Sequence, residues 1–158
     1  MLEQLYRDQF AHYINTTPGD SETWTLEGIG VDALSLAYNP QIDQYKTIIE
    51  RNANATFTGY QLQASVSGKR IYKGDAMYEF LNDARRNMEA IETDFLEVEM
   101  ANTQGEGSYV ATKFKCLIAI TEMLGDSAVI GYDLYVKGDP VHGTVTIADG
   151  EPTFVEEV

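Results

Sequence analysis

Apolar and polar residues alternate along much of this chain, and the places where the alternation breaks mark out its elements. In residues 24–38, WTLEGIGVDALSLAY, the side chains of Leu34, Leu36 and Tyr38 fall at every second position, the period of a half-buried strand, and Asn39-Pro40 closes the run with a turn signal. Residues 57–66, FTGYQLQASV, set Tyr60, Leu62, Ala64 and Val66 against Gln61, Gln63 and Ser65, which predicts another strand. The period then changes. Met77, Leu81, Ala84, Met88 and Ile91 recur at steps of four and three, one helical stripe able to lie on a sheet, with Asp75 as its N-cap and Arg85 and Arg86 where the helix dipole favours positive charge.

Alternation resumes after the helix. Leu96, Val98 and Met100 oppose Glu97 and Glu99, and Gly105 and Gly107 end the run. From Tyr109 to Glu122 one face carries Phe114, Cys116, Ile118 and Ile120, and a hairpin partner carries Ile130, Tyr132, Leu134 and Val136. A last short strand runs through Val145 and Ile147. From Asn39 to Asn54 the polar stretch NPQIDQYKTIIERNAN has turn residues at both ends and only a short apolar patch, Ile48-Ile49, and reads as a long loop or projecting hairpin. Connections of that length usually have work to do, such as contacting something.

About six or seven strands and one helix give a β-rich α+β fold: a two-sheet β-sandwich with one flanking α-helix, a long loop at 39–56 and terminal arms at 1–23 and 150–158. At 158 residues the chain has the length of a single domain. Its lone cysteine, Cys116, has no partner for an internal disulfide and sits on the apolar face of a strand, where a buried, inert thiol is expected. The N-terminus MLEQLYRDQFAHYI has no basic head followed by an apolar core, and no apolar run reaches the roughly 18 residues of a membrane span. These features predict a soluble protein folded in a cytoplasm, without a membrane partner.

Twenty-five acids against eleven bases leave a net charge of −14, which disfavours tight binding to nucleic acid. The imbalance is uneven: residues 1–86 hold 11 acids and 8 bases, residues 87–158 hold 14 acids and 3 bases. Five of the bases cluster in SGKRIYKGDAMYEFLNDARRN, residues 67–87. A phosphate-binding loop would need glycine where Gln63 stands and Ser or Thr where Arg70 stands, so the stretch reads as a strand end leading into a capped helix. His12 and His142 lack the spacing of paired metal ligands and read as surface or interface residues. Asp94, Glu97 and Glu99 read as a solvated strand face, since no calcium-loop pattern surrounds them. No nucleophile elbow is present, and neither an enzyme nor a cofactor or metal is expected.

In order, LSLAYNPQ, a long polar segment, GYQLQASVSGKRIYKGDAMYEFLNDARR, acidic strands and a closing YVKGDPVHGTVTI make a recognisable series. The series, running from Trp24 to Phe154, resembles the major tail (tail tube) proteins of long-tailed bacteriophages of Gram-positive bacteria. Its most specific pieces are Tyr-Asn-Pro-Gln at 38–41 and Tyr-Lys-Gly-Asp at 72–75.

The resemblance implies a structural virion protein, assembled in the host cytoplasm, that forms stacked, six-membered (hexameric) rings. These make the tail tube through which the genome is ejected, with tape measure, tail terminator and baseplate proteins as further partners. The 39–56 loop and both arms would reach neighbouring subunits, with Tyr45, Ile48, Ile49 and Arg51 in the loop and Lys69, Arg70 and Lys73 beside the helix as contacts. DNA would pass without tight binding: a six-membered ring carries a net charge of −84, six times the −14 of each chain. Glu97, Glu99, Glu122 and Asp133 are the candidates for the acidic lumen. Two alternatives share the pattern. One is the inner tube of a contractile tail or secretion system; the other is an acidic β-sandwich binding module presenting Tyr109, Tyr132 and Tyr135.

Overall fold

The structure, a computed structural model, describes residues 1–125 and 127–158. Among the described residues the chain forms ten strands: β1 (Phe10–Asn15), β2 (Trp24–Leu26), β3 (Leu34–Ala37), β4 (Pro40–Tyr45), β5 (Asn54–Tyr60), β6 (Gln63–Arg70), β7 (Ile91–Gly105), β8 (Ser108–Met123), β9 (Val129–Ala148) and β10 (Glu151–Glu156). One α-helix, α1 (Ala76–Asn87), lies between β6 and β7. The fold is therefore the β-rich α+β arrangement that the alternation predicts. Eight strands make one antiparallel sheet in the order β2-β1-β7-β8-β9-β6-β3, with β10 paired to the C-terminal half of β9. β4 and β5 make a separate two-stranded sheet.

The large sheet is not flat. Glu27 N–H donates to His12 O on β1 at 2.8 Å, and three residues later Gly30 O accepts from Arg70 N–H on β6 at 3.0 Å. The three residues of chain between them span at most about 11 Å even when extended, and Val31 N–H to Gly28 O turns this segment. In a flat sheet β1 and β6 would stand four strand spacings apart, roughly 19 Å. The sheet must therefore curl until its two flanks face each other, which gives the sandwich its two layers.

The core lies inside that curl. Ile14, Ala64, Val66, Phe95, Phe114, Cys116, Ile118, Ile130, Tyr132 and Leu134 pack together, and α1 closes the cluster with Met77 and Leu81. Asp75 caps the helix by accepting from Met77 N–H at 3.1 Å. The helix stops earlier than the stripe predicts: Met88 is its left-handed C-cap, at φ 55°, and Ile91 already begins β7. Because strand side chains alternate, the opposite face of β7 and β8 needs its own cover. There Tyr13, Leu96, Val98, Ala111 and Val145 form a second cluster under Trp24 and Phe154. Lys113 lies below both aromatic rings, 5.8 Å from one and 5.7 Å from the other, and bonds to Glu22 at 2.8 Å.

Several expectations change. Residues 10–15, assigned above to an N-terminal arm, are β1, with Tyr13 and Ile14 buried between β2 and β7. Residues 151–156, assigned to a C-terminal arm, pair with β9 as an edge strand; Pro152, which has no N–H to donate, is tolerated there. The predicted strand over 57–66 is two strands in two sheets, divided at Gln61-Leu62. The hairpin partner of β8 and the last predicted strand are instead one strand, β9, whose pairing with β8 shifts between Lys113 and Lys115.

Candidate assembly surface

The long segment after β3 is the projecting form of the two expected: a β4–β5 hairpin. Its strands are exposed almost throughout. In register, Pro40 faces Tyr60, Ile42 faces Phe57 and Tyr45 faces Asn54. Between the Gln41–Gly59 and Ile42–Phe57 pairs the register slips by one, leaving Thr58 as an extra residue. The slip brings Phe57 and Tyr60, three apart in sequence, onto one face, where their rings meet edge to face at 4.9 Å and Tyr60 meets Tyr38 at 5.8 Å. Ile42 extends this apolar stripe. All four side chains are about half exposed.

At the tip, Glu50 accepts from Thr47 N–H and from the Asn54 amide, which holds the carboxyl below its ordinary range and rigidifies the turn. Ile48 and Ile49 project beyond it, fully exposed. A two-stranded hairpin on its own is marginally stable in water, and monomers seldom leave such apolar surface uncovered. Tyr45 and Arg51 are exposed too.

The basic stretch divides. Arg70 points outward and grips Asp32 of its own chain with two bonds, at 3.0 and 3.1 Å, while Lys73 is exposed. Lys69 does the opposite and corrects the expectation that it contacts another chain: its side chain is buried. Its Nζ donates to Ile29 O at 2.6 Å and lies 3.3 Å from Glu27 Oε1 and 3.2 Å from Asp75 Oδ2. With one base directed inward and another held by Asp32, the stretch forms no phosphate cradle.

The interior around Lys69 is the most polar part of the core. Burial raises the pKa of Glu27 against the opposing pull of Lys69, with Asp75 raising it further. Burial, and then the nearby Glu27, pushes the Tyr132 phenol well above its ordinary value. Neither Glu27 oxygen nor the Tyr132 hydroxyl finds a well-aligned hydrogen bond among the described residues, so charge proximity is what holds Glu27 to Lys69. Together these groups join the 27–33 crossing, β6, the helix cap and β9.

The four acids considered for a lumen do not share a wall. Asp133 and Glu122 lie on the face of β6, β8 and β9 opposite the helix. There Asp133 accepts from Gln63 at 3.3 Å and Glu122 from Ser67 at 3.1 Å, with Ser65 exposed between them. Glu97 and Glu99 are on the other face of β7, near Tyr38, whose pKa is raised by burial and then by these two charges. Glu97 is bound to His12 at 2.9 Å. His12, expected at a surface or interface, is buried within its own chain: it stacks on Phe95 at 5.3 Å and meets Arg7 at 3.0 Å. His142 is exposed.

Cys116 is buried as expected, its pKa pushed up to about 12 by burial and then by Asp94. The three tyrosines of the binding-module alternative make no common platform. Tyr132 is in the core, Tyr109 packs on the second cluster and Tyr135 is partly exposed. Among the described residues no helix is long and apolar enough to cross a membrane. Comparison with known protein families and with curated protein sequences finds no match for this chain.

Proposed function

We propose that this chain is the repeating subunit of a bacteriophage tail tube, a structural protein whose copies form stacked, hexameric rings around a bore for the genome. The observation that carries the reading is the β4–β5 hairpin, which projects an apolar stripe and two uncovered isoleucines away from its own domain. The hairpin occupies the segment that, by the sequence resemblance, reaches a neighbouring subunit.

Charge supports the same reading. A conduit must release DNA, and each phosphate paired with Lys or Arg adds affinity. The face bearing Glu122 and Asp133 is free of the helix, with Gln63, Ser65 and Ser67 beside the two acids, so it suits an inner wall better than the face of Glu97, which holds His12. Sedimentation velocity over a concentration series tests the proposal. Discrete multiples of the 17.6 kDa subunit growing with concentration are expected, and a single monomer boundary throughout would reject it.

A further inference from the structure

We propose that Ile48 and Ile49 of one copy seat in the groove at the C-terminal end of α1 in a second copy, an inference that rests on the self-assembly reading above. The groove has a volume of about 380 Å³, with apolar walls from Met88, Ala90, Ile120 and Met123, and Arg85, Glu89 and Glu122 also line it. Met88, at the left-handed cap, is 93% exposed and meets no cover in its own chain.

Charge selects the occupant. The tip carries Lys46 and Arg51 beside the two isoleucines and, with Glu50, has one net positive charge on a chain of net charge −14. Among the described residues neither Lys46 nor Arg51 makes a salt bridge, and neither Glu89 nor Glu122 does. The plug, with Lys46, Glu50 and Arg51, carries one net positive charge, and the socket, with Arg85, Glu89 and Glu122, one net negative charge, so the two surfaces are complementary in sign. Plug and socket are different surfaces of one chain; engaged one way at each interface, the contact is heterologous and propagates into a ring, the form the self-assembly reading requires, whereas reciprocal engagement would close a pair. Glu122 then belongs to the contact, and Asp133 remains for the bore.

Two variants separate the halves: Ile48→Asp with Ile49→Asp removes the plug, and Ala90→Arg blocks the socket at an exposed position. Each alone is expected to lower the assembled fraction about tenfold or more, the scale set by exposing the apolar area that the contact buries. Mixed together, they should give a 1:1 dimer that grows no further, since one copy keeps a plug and the other a socket. A disulfide trap, Ile49→Cys with Met88→Cys, reads the same contact without blocking it, and the buried Cys116 does not compete.

An Ala90→Arg protein that assembles like the wild type, a mixture without dimers, or an assembled double-cysteine protein without intermolecular crosslinks would overturn the socket and leave self-assembly standing. A wild type that stays monomeric would overturn both.

Discussion

Lys69 Nζ lies 3.3 Å from Glu27 Oε1, and both side chains are sealed from solvent between β6 and the crossing that curls the sheet. One ammonium there faces two carboxylates, Glu27 and Asp75. Removing the cation would leave two buried charges unpaired. Lys69→Met should therefore destabilise the fold by about 3–5 kcal/mol, a fall in Tm on the order of 10 °C for a chain of this length. Thermal denaturation followed by circular dichroism measures it.

Glu27 gives the same cluster a pH dependence. Its folded pKa is raised, so its contribution to stability is fully present below its ordinary value of 4.5 and is lost as pH rises through the folded value. Glu27→Gln cannot ionise. In its melting curves, stability should fall less between that ordinary value and mildly alkaline pH than the wild type's does; parallel pH profiles for the two proteins would contradict this.

Gly143 lies under the edge strand. A Cβ at that position would meet Phe154 Cζ at 2.8 Å and press on the Val155 carbonyl, displacing β10. Gly143→Ala should cost about 1–3 kcal/mol as an overpacking change, and hydrogen exchange should show faster opening at Thr153 and Val155 than in α1.

Asp133 tests the bore. Asp133→Lys on the face of β9 opposite the helix should leave Tm within about 0.5 kcal/mol of equivalent stability, as for most surface changes. Assembled particles carrying it should retain DNA in low salt and release it as salt rises. Equal DNA retention by wild type and variant would place Asp133 away from any passing genome.

The core was legible from sequence because its strands keep their parity. Phe114, Cys116, Ile118 and Ile120 occupy one face, and Met77, Leu81 and Ala84 keep helical spacing. Lys69 was misread because that parity breaks. Val66 pairs with Tyr132 and Lys69 with Ile130, three steps on β6 against two on β9, so the extra residue reverses which side chain points inward. Gly68, at φ 73°, takes the left-handed backbone that the bulge needs. Without the bulge Arg70 would be inside and Lys69 outside.

The same device hides the hairpin stripe, where the slip beside Thr58 aligns Phe57 with Tyr60. Glu27 was missed for another reason. Its burial depends on a crossing between distant strands, which no local pattern encodes. β1 is six residues long and contains His12, whose burial relies on Glu97 some 85 positions away.

Electron microscopy of the purified protein at rising concentration tests the central claim most directly. Hollow rings or tubes with a continuous central channel are the predicted result. A field of single globular particles at every concentration, from protein whose circular dichroism shows the β-rich fold intact, would contradict it.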